Sequence, residues 1–251
     1  MEAIGRFCRK GMVAKNTLMF QVEMPPGTFP SFVPGQYVYL EWKNLPATLK
    51  AGDGRSFSIA SSPASLPILS FATRLTGSPF KNALLSVPND SLMLVSGPYG
   101  EFCLPGCIGE RRTSSWEMPI VLISGGIGIT PYRSMLLHSI DACQNMSFFL
   151  FTTNPTLEDS PFRDELEELS RNHKNLFLCQ YVSRSAGLPA SAVNAGPLTP
   201  AKILGFLGET AQKAQYFISG PPSLVTSFKN GLLSAGILAG RIHSDPFFGY
   251  V

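Results

Sequence analysis

Two stretches of this chain carry side chains whose types and spacing suit chemistry. In VLISGGIGITPYRSML, Val121 to Leu136, an uncharged apolar run leads into Gly125, Gly126 and Gly128 and then into a helix-like pattern. Glycines let a backbone approach a ligand closely, and the start of a helix offers unpaired N–H groups and the positive end of its dipole. Together they suit a pyrophosphate. A tight strand-to-helix turn without a ligand uses the same residues, and the spacing is not G-x-G-x-x-G. The second stretch is RSFSIASSP, Arg55 to Pro63. The planar fork of Arg55 suits phosphate oxygens. Phe57, two positions on and so on the same strand face, offers a flat ring. Ser58 points to the other face, free for a ligand or paired with backbone. Phosphate at one end and a planar ring at the other describe the ligand such a strand would grip.

Other chemistries find little support. A net charge of +3, with no basic run longer than Arg111-Arg112, argues against nucleic acid as a partner. The five cysteines are odd in number and scattered. Cys103 and Cys107, the only close pair, lack zinc-knuckle and iron–sulfur spacing, so reduced thiols in a cytoplasmic protein are expected. His138, His173 and His243 are isolated from one another, and no metal site is expected. MEAIGRFCRKGMV has no apolar core of a signal peptide, and MPIVLISGGIGITPY is too short and too glycine-broken to span a bilayer. An integral membrane protein is therefore not expected. No serine elbow or P-loop appears, which sets hydrolases and kinases aside.

The elements that must position these residues change style along the chain. Over the first part, TLMFQVEMP, FVPGQYVYLEW, RSFSIASS, LSFATR and SLMLVSGPYG read as short strands between Gly/Pro turns, which predicts a closed antiparallel barrel. KNLPATLKAGDG reads as an exposed excursion between barrel strands. After GERRTSSWEMP, the runs PIVLIS, SFFLFTT, LFLCQYV and QYFIS lack alternation, as strands buried on both faces of a parallel sheet do. Thr130-Pro131, Ser160-Pro161 and Thr199-Pro200 each place a hydroxyl and a proline where a helix N-cap and first position would fall, and Ser78-Pro79 repeats the device in the barrel region. Ser62-Pro63 shares the dipeptide, but no helical pattern follows it. In the segment after Ser160, Phe162, Leu166 and Leu169 share a face, with Asp164 and Glu165 in the first turn. The predicted organisation is an antiparallel β-barrel over 1–113, then a doubly wound α/β domain with a parallel sheet over 114–251, its ligand at the carboxyl ends of the strands.

FVPGQYVYL, RSFSIASSP, GPYGEF, SGGIGITP and ISGPP occur in an order and spacing that resembles the ferredoxin–NADP reductase superfamily along essentially the whole chain. The resemblance implies a six-stranded flavin-binding barrel followed by a nicotinamide-nucleotide domain, with hydride passing between nucleotide and FAD in the cleft between them. It gives Arg55 to the FAD pyrophosphate, Phe57 to the isoalloxazine and Ser58 to the reactive flavin nitrogen. Ser56, Thr73, Gly77 and Ser78 fall in its cofactor-binding segments, and the helix after Ser78 would face the pyrophosphate. Thr130 stands near the nicotinamide in this comparison, although capping a helix explains it equally well. Ser219, followed by Gly220 and Pro221, stands where many members carry a catalytic cysteine, a departure expected to alter rates without abolishing activity. Most members also place tyrosine at Phe57.

Ser183-Arg184 resembles a pair that holds the 2'-phosphate of NADP, and no acid follows the second strand of the sheet at once, so NADP(H) is favoured over NAD(H). The tail RIHSDPFFGYV has three aromatics in its last five residues. Tyr250 or Phe248 either stacks on the flavin or packs against the nucleotide domain. Asp245 is a weaker candidate for an acid near the flavin. The implied activity is that of an FAD-dependent NAD(P)H oxidoreductase. Its acceptor would be an external carrier such as ferredoxin or flavodoxin, since the chain has no cysteine cluster. Alternatives are a flavin or cytochrome reductase, an NADH-using electron-transfer subunit of a larger complex, and a non-catalytic docking subunit. Retention of Arg55, Ser58 and the glycines argues against the last.

Overall fold

The computed structural model describes residues 1–45, 54–105, 118–142, 146–184 and 194–248. Most of the KNLPATLKAGDG excursion, Cys107, Arg111-Arg112 and Tyr250 lie outside the described residues. The chain divides into two compact units. The first comprises Met1–Thr113, Thr130–Cys143 and Val251, and the second comprises Ser114–Ile129 and Gln144–Tyr250.

The first unit holds β1 (Glu2–Ala14), β2 (Thr17–Glu23), β3 (Tyr37–Lys43), β4 (Arg55–Ser58), β5 (Ile68–Arg74), α1 (Pro79–Ser86) and β6 (Leu92–Tyr99). The strands form one antiparallel sheet in the order β4-β3-β6-β1-β2-β5. The segment after β4 joins the two ends of that order. Ala60 N–H donates to the Ser70 carbonyl at 2.8 Å, and Ser70 N–H donates to Ser61 Oγ at 3.0 Å. This closes the barrel that short, punctuated strands predicted. Its interior is aromatic: Phe20 lies 5.4 Å from both Phe57 and Phe71, and Trp42 lies 5.5 Å from Phe7.

β1 was not visible as a strand in the sequence, because its side chains are mostly charged or small and only Gly5 and Phe7 are buried. Tertiary partners explain the polar pattern. Arg6 pairs with Glu23 and with Asp90, and Lys10 Nζ donates to the carbonyls of Leu84, Leu85 and Val87 at the C-terminal end of α1. A cation there complements the negative end of the helix dipole.

The remaining elements are β7 (Ile120–Gly125), α2 (Ile129–Asp141), β8 (Phe148–Asn154), α3 (Arg163–Asn172), β9 (Leu176–Val182), β10 (Asn194–Ala195), α4 (Pro200–Leu207), β11 (Gln215–Gly220), α5 (Pro222–Ser234) and β12 (Ile242–Pro246). The strands make a parallel sheet ordered β10-β9-β8-β7-β11-β12. β7 and β11 are buried along their whole length, which accounts for their unbroken apolar runs. β12 occupies much of what the sequence presents as a tail, held in register against β11 from Tyr216↔Ile242 to Gly220↔Pro246.

The hydroxyl–proline device marks α1 and α4 correctly. Ser78 accepts from Lys81 N–H, and Thr199 accepts from Lys202 N–H at 3.3 Å. It fails at two other places. α2 begins at Ile129, continuing a 3₁₀ turn over Gly126–Gly128, so Thr130 sits inside the first helical turn and is not its cap. α3 begins only at Arg163, after Phe162 in a left-handed conformation with φ 57°. Ser160 Oγ donates back to the Thr156 carbonyl instead of capping. In both cases burial of an apolar side chain, Ile129 or Phe162, fixes the entry to the helix. Ser62-Pro63 does start a short 3₁₀ turn, Pro63–Ser65, with no α-helix after it.

Candidate cofactor-binding site

The glycine-rich turn sits at the carboxyl end of β7. Gly125, Gly128 and Gly220 are required chiefly by the protein's own packing. A Cβ on Gly128 would overlap the Ser219 carbonyl and lie 2.7 Å from Gly220 N; one on Gly220 would lie 2.8 Å from the Gly125 carbonyl. The ends of β7 and β11 thus interlock backbone against backbone through the turn. A Cβ on Gly125 would instead meet side chains, Leu224 Cδ1 at 2.7 Å and Pro221 Cδ at 3.0 Å. Gly126 differs: it holds φ +53° and has open space where a Cβ would point. It is the glycine of the turn whose free side a ligand can approach.

A polar row crosses the sheet at the level of this turn. Register pairs Gln180 with Thr152, Thr152 with Ser124, Ser124 with Ser219 and Ser219 with Asp245, one residue from each of five neighbouring strands. The first four are at least nine-tenths buried. Among the described residues, Ser124 Oγ, Gln180 Oε1 and Ser219 Oγ have no hydrogen-bond partner, nor has the nearby Asn154 Oδ1. Buried oxygens left unpaired cost about 1–3 kcal/mol each, and their grouping at the strand ends marks a place where something polar binds. At the end of the row, burial pushes the Asp245 carboxyl up to about 6. Of these residues, sequence reading singled out Ser219 and, weakly, Asp245. Thr152, Asn154 and Gln180 were missed because strand alternation does not reveal which polar residues align across neighbouring strands.

On the barrel, Arg55 and Ser56 are exposed at the start of β4 and Ser58 is half-buried at its end, opposite Tyr37. Phe57 is not offered to a ligand as expected. It is 7% exposed and enclosed by Phe20, Phe71 and Phe80, with ring centroids 5.4 to 6.3 Å away. Sharing a face with Arg55 put it inside the barrel, since its cross-strand neighbour Val38 is a core residue. Thr73 is buried on β5, and Gly77 at φ +81° leads into Ser78 at the N-terminus of α1. Lys81, in the first turn of α1, has its ammonium pushed down by burial and by the charge of Arg55. Two cations whose fields overlap beside a helix start fit an anionic group such as a pyrophosphate.

Two residues that the sequence did not single out hold the segment after Ser58. Arg133 Nη1 on α2 donates to the Ala60 carbonyl at 2.7 Å, and Ser134 Oγ donates to the Ser61 carbonyl at 2.6 Å. Thr130, at the head of the same helix, is 1% exposed. In the second unit, Ser183 and Arg184 are exposed just past β9, and their N–H groups donate to the carbonyls of Asn154 and Pro155 at 3.0 and 2.9 Å. Pro221 precedes α5, whose first residue is Pro222. Phe247 N–H donates to the Gly220 carbonyl, which anchors the chain up to Phe248, itself 83% exposed.

Residues 122–230 match the model of the oxidoreductase NAD-binding domain family. The chain is 27% identical over 227 residues to the reductase component of propane 2-monooxygenase from Mycolicibacterium goodii, covering 88% of this chain and 60% of that protein. This chain therefore spans about three-fifths of that relative's length. The flavohem-like FAD/NAD-binding domain of nitric oxide dioxygenase from Vibrio cholerae superposes with a TM-score of 0.80 at 19% identity, over 98% of both chains. The ferredoxin NADP+ reductase of Neisseria gonorrhoeae, solved with FAD and NADP, gives 0.78 at 17% identity over 98% of this chain and 99% of that one. An antiparallel barrel followed by a parallel sheet, with a glycine turn after the first strand of that sheet, gives this chain the two-domain fold of the ferredoxin–NADP reductase-like oxidoreductases, and residues 122–230 of it match the NAD-binding domain family.

Proposed function

We propose that this chain is an FAD-dependent NAD(P)H oxidoreductase that passes electrons between a nicotinamide nucleotide and an external carrier, either ferredoxin, flavodoxin or a partner subunit. Residues 1–113 bind FAD and 114–251 bind the nucleotide. The observation that carries this reading is the turn at Gly125–Gly128, open at Gly126 and locked against Ser219 and Gly220. When bound, the flavin supplies the chemistry that links hydride transfer to electron release. Arg55 and Lys81 hold its pyrophosphate, assisted by Gly77 and Ser78 at the start of α1. Ser56, Ser58 and Thr73 provide hydroxyls along the barrel strands. Thr130 and Ser219 are each assigned to nicotinamide binding, and Tyr250, outside the described residues, to the aromatic tail. The setting is cytoplasmic. Among the described residues, no helix is long and apolar enough to cross a membrane.

Ser183 and Arg184 favour NADP(H), because a fixed guanidinium suits a 2'-phosphate. Anaerobic titration of the FAD-reconstituted protein with NADPH and NADH separately tests both statements. Bleaching of the flavin by neither nucleotide refutes the activity, and bleaching by NADH at much lower concentration refutes the nucleotide preference. Likeness to a monooxygenase reductase component along 88% of the chain favours, as the second reading, a subunit that delivers electrons within a larger complex. Turnover with ferredoxin, cytochrome and free flavin compared side by side separates a carrier reductase from a flavin reductase.

A further inference from the structure

The carboxyl ends of β7, β8 and β9 close on a small cavity within the second unit, lined among others by Ser124, Gly126, Thr152, Asn154, Arg163 and Gln180. It leaves about 10 Å³ open to the centre of a water-sized sphere. Three of its lining side chains present buried oxygens with no partner among the described residues: Ser124 Oγ, Asn154 Oδ1 and Gln180 Oε1. We infer that this cavity binds one water molecule, held by Ser124, Asn154 and Gln180, which ties the glycine-rich turn to the strand ends that carry Ser183 and Arg184.

Size and donor balance select the occupant. A cavity of this volume holds about one water, and internal waters typically make about three hydrogen bonds. Gln180 donates its amide N–H to Glu167 Oε1 at 3.2 Å, which fixes its oxygen as the group turned elsewhere. Two amide oxygens accept and a serine hydroxyl donates, and a water molecule with two protons and free lone pairs satisfies all three. An anion would meet the two amide oxygens lone pair to lone pair. A cation would meet the Arg163 guanidinium and the positive end of α3, which has no side-chain cap. Asp164 and Glu167 already face that guanidinium, at 2.9 and 4.0 Å.

The tie has a direction in the fold. Ser124 and Gly126 belong to the end of β7 and its turn; Asn154 and Gln180 belong to β8 and β9. The backbone of Asn154 and the adjacent Pro155 in turn hold the N–H groups of Ser183 and Arg184. Water therefore bridges the two segments that the proposed function gives to the nucleotide's phosphates. The consequence for nucleotide binding rests on that reading, whereas the water site itself does not.

Two measurements without any cofactor test the site. A high-resolution crystal structure of the wild-type protein is expected to show one peak 2.7–3.2 Å from all three oxygens. An empty cavity overturns the inference, as does a peak that a thallium soak marks as a cation. Thermal unfolding of Ser124→Ala is expected to lower Tm by about 2–4 °C, the loss of one hydrogen bond to water. In a dry cavity the same change removes an unpaired hydroxyl, so an unchanged or raised Tm contradicts a bound water. Ser124→Ala combined with Gln180→Leu is expected to be non-additive, because the two side chains meet only through the water. Finally, nucleotide titration of Ser124→Ala is expected to weaken binding several-fold with FAD affinity unchanged; equal nucleotide affinity refutes the tie. If the wild-type protein binds no nucleotide, the proposed function fails and the water measurements still stand.

Discussion

Replacing Asp245 with asparagine isolates the cost of a buried acid. Asp245 lies on β12 beside Ser219, and burial lifts its carboxyl from 3.8 to about 6. At about 1.36 kcal/mol per pH unit that difference is worth roughly 3 kcal/mol, an upper figure for a group that keeps some contact with solvent. The sign follows from proton binding. Between pH 3.8 and about 6 the native state holds this proton more tightly than the unfolded chain, so stability contributed here is present at low pH and falls as pH rises through the window. Asparagine keeps the size and never ionises. Asp245→Asn is therefore expected to match the wild type near pH 4 and to exceed it above pH 6, by about 2–3 kcal/mol at pH 7.5 or roughly 4–12 °C in Tm. Thermal unfolding of both proteins from pH 4 to 8, followed by circular dichroism, measures the difference. His243, which burial pushes down, titrates in both proteins, and its contribution largely cancels in the difference. A pH-independent offset, or an asparagine variant less stable at pH 7.5, refutes the assignment of a costly buried carboxylate.

Packing predictions follow from the two units. Gly128→Ala is expected to cost about 3 kcal/mol by urea unfolding because backbone atoms block its Cβ, whereas Gly126→Ala is expected to cost only the ~1–2 kcal/mol of a left-handed residue. Equal losses would mean that the interlock of β7 and β11 relaxes freely. Phe57→Ala is expected to destabilise the protein by about 3–5 kcal/mol, since the ring fills the barrel; a loss of FAD affinity with unchanged stability would restore Phe57 to the cofactor surface. Ser134→Ala leaves the Ser61 carbonyl short of a donor and is expected to cost about 1–3 kcal/mol, read by the same unfolding assay. Arg184→Ala is expected to raise Kd for NADPH about tenfold or more with NADH little changed; parallel losses would show that the guanidinium does not meet the 2'-phosphate.

Local chemistry made much of this molecule legible from sequence. The runs that became β7 and β11 are buried along their whole length and those of β8 and β9 in large part, so their unalternating composition announced a parallel sheet. Ser78 and Thr199 announced their helices because a cap and a proline act within a single turn. The glycine turn announced itself for the same reason. What stayed hidden depends on partners far along the chain. β1 is polar because Glu23, Asp90 and the end of α1 neutralise it, and β12 is a strand only because β11 lies beside it. Phe57 lies on the face that alternation gave it, yet only barrel closure decided that this face is the inside. The sequence by itself determined the parallel-sheet runs, the starts of α1 and α4 and the glycine turn where phosphate-binding chemistry could sit. The tertiary structure decided that Gly128 and Gly220 serve packing, and that Gln180, Thr152, Ser124, Ser219 and Asp245 form one row, because register between strands is a long-range property that no window of sequence contains.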